Sequence, residues 1–292
     1  MDQSIKPQKS VIEQQRIVIK NKYGENLVGI LHETGSEEVI ILCHGFTSNK
    51  ECPINLNVAD ALTKKGISAF RFDFSGNGEG AFEFGNYNKE ADDLHSIVFY
   101  FLGMKRVIGG ILGHSKGGDT VLVYASKHHD VPMVINVSGC YNMEEGIKER
   151  LGERFMERIK ENGCIDVMDG EGNFWCRVTE ESLLERLATD MRALCLSIPK
   201  DCRVFTVHGS EDECIPVEDA FKFSKIIHNH KLHIVEGADH CYNNHQSELV
   251  EVVVNFIKES LKERLRRIKL SALSDPTKKT YQKNILPMHC NL

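Results

Sequence analysis

The chain has 292 residues, 41% hydrophobic and 27% charged, with a formal net charge of -6. That is ordinary globular composition, long enough for a large buried core. Acidic and basic residues are interspersed, so no basic stripe points to nucleic acid or a membrane surface, and no apolar run approaches the roughly 20 residues of a membrane span.

Residues 1–11 are polar and read as a flexible N-terminus; without an apolar signal core, secretion is not expected. Arg16 to Lys20 and Leu27 to His32 flank Tyr23-Gly24-Glu25-Asn26 and read as a hairpin. Strand-like Val39 to Cys43, helix-like Asn55 to Lys65 and strand-like Ile67 to Phe74 follow. Helix-like Tyr87 to Phe101 then precedes strand-like Val107 to Leu112, and helix-like Asp119 to His128 precedes Met133 to Val137. Arg203 to Val207, Ala220 to Ile227, Leu232 to Val235 and Glu248 to Leu265 resume the alternation. Alternation of this length predicts an α/β fold, a mostly parallel sheet with helices on both faces.

Residues 12–139 and 200–265 therefore form the expected core, and 140–199 an insertion. In the insertion, Glu144 to Lys160 reads as one charged amphipathic helix, and Gly170 to Asn173 as a turn before Phe174 to Val178. Thr179 is placed to cap a helix through Leu187. The segment is too charged for much core of its own and is expected to rest on the body. Residues 266–292 lose periodicity and read as a loosely held tail.

The stretch Gly113-His114-Ser115-Lys116-Gly117-Gly118 ends a strand and begins a helix. Gly-x-Ser-x-Gly at such a junction is a nucleophile elbow, whose glycines remove side chains that would collide in the tight turn. A serine hydroxyl needs a base, and the base a carboxylate to orient it. Two downstream strand-ending loops carry Asp212 and His240, which are the expected acid and base; Glu211 and Glu213 are alternative acids. The oxyanion donors are expected to be the N–H groups of Phe46, after strand-ending His44-Gly45, and of Lys116. Asp239 reads as a loop residue, and His44 and His114 as local hydrogen-bonding groups. His228, His230 and His233 straddle a helix end and a strand and are not expected to hold a metal. No cofactor is expected.

These segments, with Asp73-Phe74-Ser75-Gly76-Asn77-Gly78, His208-Gly209-Ser210-Glu211-Asp212 and Gly237-Ala238-Asp239-His240, resemble the α/β-hydrolase fold. More narrowly, they resemble the serine aminopeptidase S33-like branch found in plants and the related feruloyl (cinnamoyl) esterases. The resemblance covers about residues 12 to 262; one departure is a shorter run after Asp73. It implies an eight-stranded sheet, Ser115 as nucleophile, Asp212 as acid, His240 as base, Phe46 and Lys116 N–H groups in the oxyanion hole, and the insertion as a lid.

Substrate-pocket candidates in and near the lid are Tyr141, Met143, Phe155, Phe174 and Trp175. The expected function is a carboxylesterase acting on esters with an aromatic or apolar group, of hydroxycinnamoyl or benzyl/salicyl type. Acylglycerol or medium-chain lipid esterase activity, or a triad-retaining receptor with little turnover, are the alternatives. The partner is a small-molecule ester, and the protein is expected as a monomer or homodimer. Ten cysteines without a Cys-x-x-Cys pair suit a reducing, cytoplasmic setting.

Overall fold

The structure is a computed structural model that describes residues 13–78 and 86–274. The N-terminal tip, the end of the run after Asp73 (79–85) and the last residues (275–292) lie outside the described residues.

β1 (Glu13–Lys20) and β2 (Asn26–Glu33) form an antiparallel hairpin that pairs Lys20 with Asn26. Its turn holds Gly24 at φ +84, while Asn21 Oδ1 accepts the N–H groups of Tyr23 and Glu25. The alternation follows: β3 (Glu38–Cys43), α1 (Pro53–Thr63), β4 (Ser68–Phe72), α2 (Tyr87–Gly103), β5 (Val107–His114), α3 (Lys116–His128) and β6 (Met133–Val137). The insertion contributes α4 (Ile147–Leu151), α5 (Phe155–Asn162), β7 (Cys164–Met168), β8 (Phe174–Thr179), α6 (Glu180–Ala188) and α7 (Met191–Ser197). β9 (Arg203–Gly209), α8 (Val217–Ile226), β10 (His230–Val235) and α9 (Gln246–Ser274) complete the order.

Eight strands form one sheet in the order β1-β2-β4-β3-β5-β6-β9-β10. β4, β3, β5, β6, β9 and β10 run parallel, and β2 is antiparallel to β4. β4 and β6 are buried at every residue, so the sheet is covered on both faces, as unbroken runs such as "MVINV" require. A parallel sheet directs the carboxyl ends of its strands to one edge, where the loops after β3, β5, β9 and β10 meet.

The insertion departs from expectation in three ways. Gly152, at φ +87, divides the anticipated long helix into α4 and α5. β7 pairs antiparallel with β8, and α7 buries Met191 and Cys195, one turn apart, in what read as a polar stretch. The segment also has a core of its own, in which Ile147, Leu151, Ile159, Ile165, Val167, Cys176, Val178 and Leu183 are buried together. The charges sit between these positions rather than among them, so a high charged fraction did not preclude a core. The Thr179 cap is present as a reciprocal capping box with Ser182.

The chain divides into two units, residues 1–254 and 255–292. In the second, helix α9 continues to Ser274, past the expected end at Leu265. Residues 266–274 are thus helical; they are good helix formers, and Glu263 and Arg267 pair one turn apart.

Two measurements test this packing. Ile159 is fully buried in the insertion core, so Ile159→Ala should cost about 2–4 kcal/mol, with amide exchange accelerating first in α5 and β7. His230, at the start of β10, shares a 2.8 Å hydrogen bond with Thr206 Oγ1, and burial pushes its pKa down to about 4. The unfolded chain, with an ordinary histidine near 6.5, takes up the proton first, so this group removes stability as pH falls from 6.5 towards 4 and has no effect above 7. Asp93, Asp119 and Glu185, raised chiefly by burial, act in the opposite sense. The test is therefore a difference: between pH 7 and 5, His230→Gln should lose about 2 kcal/mol less than the parent in denaturant titrations. Equal slopes would exclude the burial shift.

Candidate active site

β5 delivers Ser115 to the sheet edge in a turn that only small residues permit. Ser115 adopts φ 55 and ψ -122, a backbone state costing about 1–3 kcal/mol for a non-glycine residue, so the surroundings must hold it there. A Cβ on Gly113 would stand 1.9 Å from the Gly117 carbonyl oxygen, and one on Gly117 would stand 2.4 Å from the His44 carbonyl oxygen. The Ser115 N–H donates to Val137 O at 2.8 Å, joining the turn to β6. Lys116 begins α3, where the first N–H groups of a helix are not used by its own ladder and the dipole is positive.

The loop after β3 reaches this turn. His44 Nδ1–H donates to Gly45 O at 2.7 Å and its Nε2 accepts the Phe74 N–H at 3.1 Å, which fixes a neutral ring. A Cβ on Gly45 would lie 3.2 Å from Ser115 Cβ. Lys50, farther along, gives its N–H and its ammonium to buried Asp73 at 2.6 and 2.7 Å. The loop carrying Phe46 is thereby anchored on both sides.

Asp212 and His240 come from the loops after β9 and β10. Gly209 lets those loops touch, since a Cβ there would sit 2.2 Å from Ala238 O. The two Asp212 oxygens lie 3.0 and 2.8 Å from His240 Nδ1. A carboxylate only accepts, so Nδ1 carries the proton and Nε2 of the neutral ring keeps a lone pair. The Asp212 side chain is fully buried. Burial pushes its pKa up, but hydrogen bonds from His208, His240 and the Ile215 N–H outweigh this and hold the carboxyl well below the usual range. Oδ1 accepts the N–H groups of Cys214 and Ile215 at 2.9 and 2.8 Å, and His208 Nε2 lies 3.3 Å from Oδ2.

The alternatives resolve geometrically. Glu213 accepts the His240 backbone N–H at 3.1 Å and so orients the loop, while Asp212 meets the ring. Asp239 accepts from Asn243 within its own loop. His114 Nε2–H donates to His240 O at 2.9 Å, and the two rings lie 4.9 Å apart. Burial, then the nearby His240, pushes the His114 pKa down to about 4, so it is a neutral tether near pH 7.

Ser115 and His240 line one cavity of about 380 Å³, the size of a small-molecule site. Phe46, Lys116 and Trp175 also line it. The other four pocket candidates lie elsewhere. Tyr141 packs edge-on against Phe223 and borders a different cavity with Met143, Phe155 joins the insertion core, and Phe174 is 59% exposed on β8. Proximity in sequence misled here: Tyr141 and Met143 precede α4 and turn towards α8. The sequence reading missed Tyr87, Asp119, Glu145, Arg150, Arg186, Cys214 and Cys241 as lining residues. Cys214 and Cys241 had a signal, being close in sequence to Asp212 and His240; the charged residues had none.

Among the described residues, one group has metal-like spacing: Asp212, Cys214 and His240, with ligand atoms within 4.8 Å of one another. The carboxylate and imidazole already bond to each other there, which accounts for the proximity. His230 is bonded to Thr206, and His233 lies 3.7 Å from Glu248.

A sheet in this order, with a strand–serine–helix turn and acid and base loops at its carboxyl edge, defines the α/β-hydrolase fold. Comparison with known proteins agrees. The profile of the family described as serine aminopeptidase, S33, matches residues 34–169. The structure of Est1E from Butyrivibrio proteoclasticus with ferulic acid bound is 26% identical, covers 84% of this chain and 99% of its own, and superposes with a TM-score of 0.74. The Pyrococcus furiosus esterase Pf2001 is 20% identical, over 85% of this chain and 91% of its own, at a TM-score of 0.64. An uncharacterized protein of Saccharomyces cerevisiae is 24% identical over 229 residues, 70% of this chain and 69% of that protein. The chain has the α/β-hydrolase fold.

The elbow is open to direct test. Gly113→Ala must displace the Gly117 backbone, so it should cost at least about 1–3 kcal/mol and abolish labelling of Ser115 by a fluorophosphonate. Wild-type stability and labelling in that variant would show that the close approach is not required.

Proposed function

We propose that the protein is a serine carboxylesterase that cleaves esters carrying an aromatic or apolar group through an acyl-serine intermediate. One observation carries the reading: His240 donates its Nδ1 proton to buried Asp212, and His240 and Ser115 line the same cavity. In this reading Ser115 Oγ attacks the ester carbonyl as His240 Nε2 takes its proton, and Asp212 stabilises the imidazolium. The N–H groups of Phe46 and Lys116 receive the negative charge on the carbonyl oxygen; one such donor contributes about 2.7–4 kcal/mol to barrier lowering. Collapse expels the alcohol, which takes the proton from His240. Water then attacks the acyl-serine, giving a proton to His240, and the acid leaves as Ser115 recovers its own.

Phe46, Tyr87 and Trp175 line the cavity, and Phe46 and Trp175 meet edge-to-face at 5.3 Å. Such walls suit a planar group. Est1E, similar in fold, holds ferulic acid, which favours hydroxycinnamoyl esters, with benzyl or salicyl esters as related candidates. Residues 140–199 act as the lid over this cavity. The nine described cysteines are free, as a reducing, cytoplasmic setting requires.

Ser115→Ala should lose p-nitrophenyl butyrate and methyl ferulate hydrolysis by at least about 10³-fold, with an unchanged circular dichroism spectrum. Activity surviving in that variant would remove Ser115 from the mechanism. Acylation of the wild type that stops at one equivalent would instead favour a receptor.

A further inference from the structure

Arg150, next to last in α4, lines the cavity. Its guanidinium carbon lies 5.7 Å from the Phe46 ring centre and 5.9 Å from that of Trp175. Phe46 and Trp175 stand at 89° to each other, so the planar guanidinium can lie flat on at most one of them; neither ring offers a hydrogen-bond acceptor, which leaves N–H groups for the fork that matches a carboxylate.

The other cations of the cavity are engaged. Lys116 Nζ donates to Glu90 at 2.6 Å, and Arg186 donates to Met143 O at 2.9 Å and to the Tyr87 hydroxyl at 2.7 Å. Among the described residues, the Arg150 guanidinium has neither an ion-pair partner nor a hydrogen-bond acceptor. Two acids also line the cavity. Asp119 accepts the Cys140 N–H at 2.7 Å, and Glu145, five residues before Arg150, makes no ion pair with it.

We propose that Arg150 is a specificity residue that binds a carboxylate on the substrate, so that the preferred ester is anionic. This rests on the esterase reading and narrows it. The aromatic group lies in the cavity that Phe46 and Trp175 line, and the carboxylate takes N–H groups of the Arg150 guanidinium. Two kinds of ester present this chemistry: a hydroxycinnamoyl ester of a hydroxy acid, with the charge on the leaving alcohol, or a monoester of an aromatic dicarboxylic acid, with the charge on the acyl half.

The test compares each anionic ester with its neutral methyl-capped counterpart in wild type, Arg150→Gln and Arg150→Lys. The anionic-to-neutral ratio of kcat/KM should fall about 10-fold in Arg150→Gln for one of the two pairs, chiefly through KM, and recover in part in Arg150→Lys. The responding pair tells which half carries the charge. An unchanged ratio in both pairs, or equal losses for charged and neutral esters, would overturn the proposal and leave Arg150 a packing residue. Calorimetric binding of the same anionic esters to Ser115→Ala, with and without Arg150→Gln, needs no turnover. Arg150-dependent binding without hydrolysis in the wild type would retire the esterase reading and keep the anion site, whereas hydrolysis with Arg150-independent binding would do the reverse.

Discussion

The approach of one turn of backbone to another is the constraint on which this site depends. Gly117 stands so close to the carbonyls of Cys43 and His44 that a Cβ there would lie 2.9 and 2.4 Å from their oxygens. That contact joins the end of β5 to the end of β3, and with them the serine turn to the loop bearing Phe46. It also makes the strained Ser115 conformation affordable, because several contacts determine it together. The Val137 carbonyl accepts its N–H, Gly113 admits Gly117, and Gly45 admits Ser115. Remove the closeness and the serine has no reason to keep φ 55.

Around this turn, buried charge is handled by pairing rather than by exclusion. Asp212 is an ion without solvent, and four donors surround it: His240, His208 and two backbone N–H groups. Lys116 and Glu90 make a second buried pair, with Thr120 Oγ–H donating to the other Glu90 oxygen at 2.9 Å. Leaving one partner of such a pair unmatched costs more than the pair contributes, which makes each assembly all-or-none. The two assemblies differ in what they hold. Asp212 fixes the ring of a residue that lines the cavity, whereas Glu90 ties the first residue of α3 to α2.

Much of this was legible in the sequence, for an identifiable reason. Where backbone must touch backbone, only glycine serves, so the Gly113 and Gly117 pattern records a tertiary contact in residue type. Parallel strands buried on both faces likewise appear as unbroken apolar runs, which is how β3, β5 and β6 stood out. The insertion was harder to read. Its small core is assembled from positions two to four apart on short elements, and Gly152 breaks the pattern after one helical turn. The cavity wall was the least legible part. Arg150 and Arg186 have the spacing of solvent-facing residues, and only the turn at Gly152 and the β7–β8 hairpin bring their elements over Ser115.

The small core of the insertion also explains why its rim can meet the loop after β3 without merging into the main core. Phe46 packs on the insertion core from outside, as Phe155, Met156 and Leu187 do from within the segment. The same ring faces Trp175 of β8 and Arg150 of α4. A single side chain on the loop after β3 therefore contacts both the insertion and the cavity. Movement of the insertion on its own core must shift the surroundings of Phe46, while His44 and Lys50 hold the backbone of that loop to the sheet. The side chain can then follow the insertion while the adjoining backbone N–H stays put. In the proposed mechanism, where the Phe46 N–H receives the oxyanion, a substrate is admitted past fixed donors, and that separation of side-chain freedom from backbone rigidity meets the need.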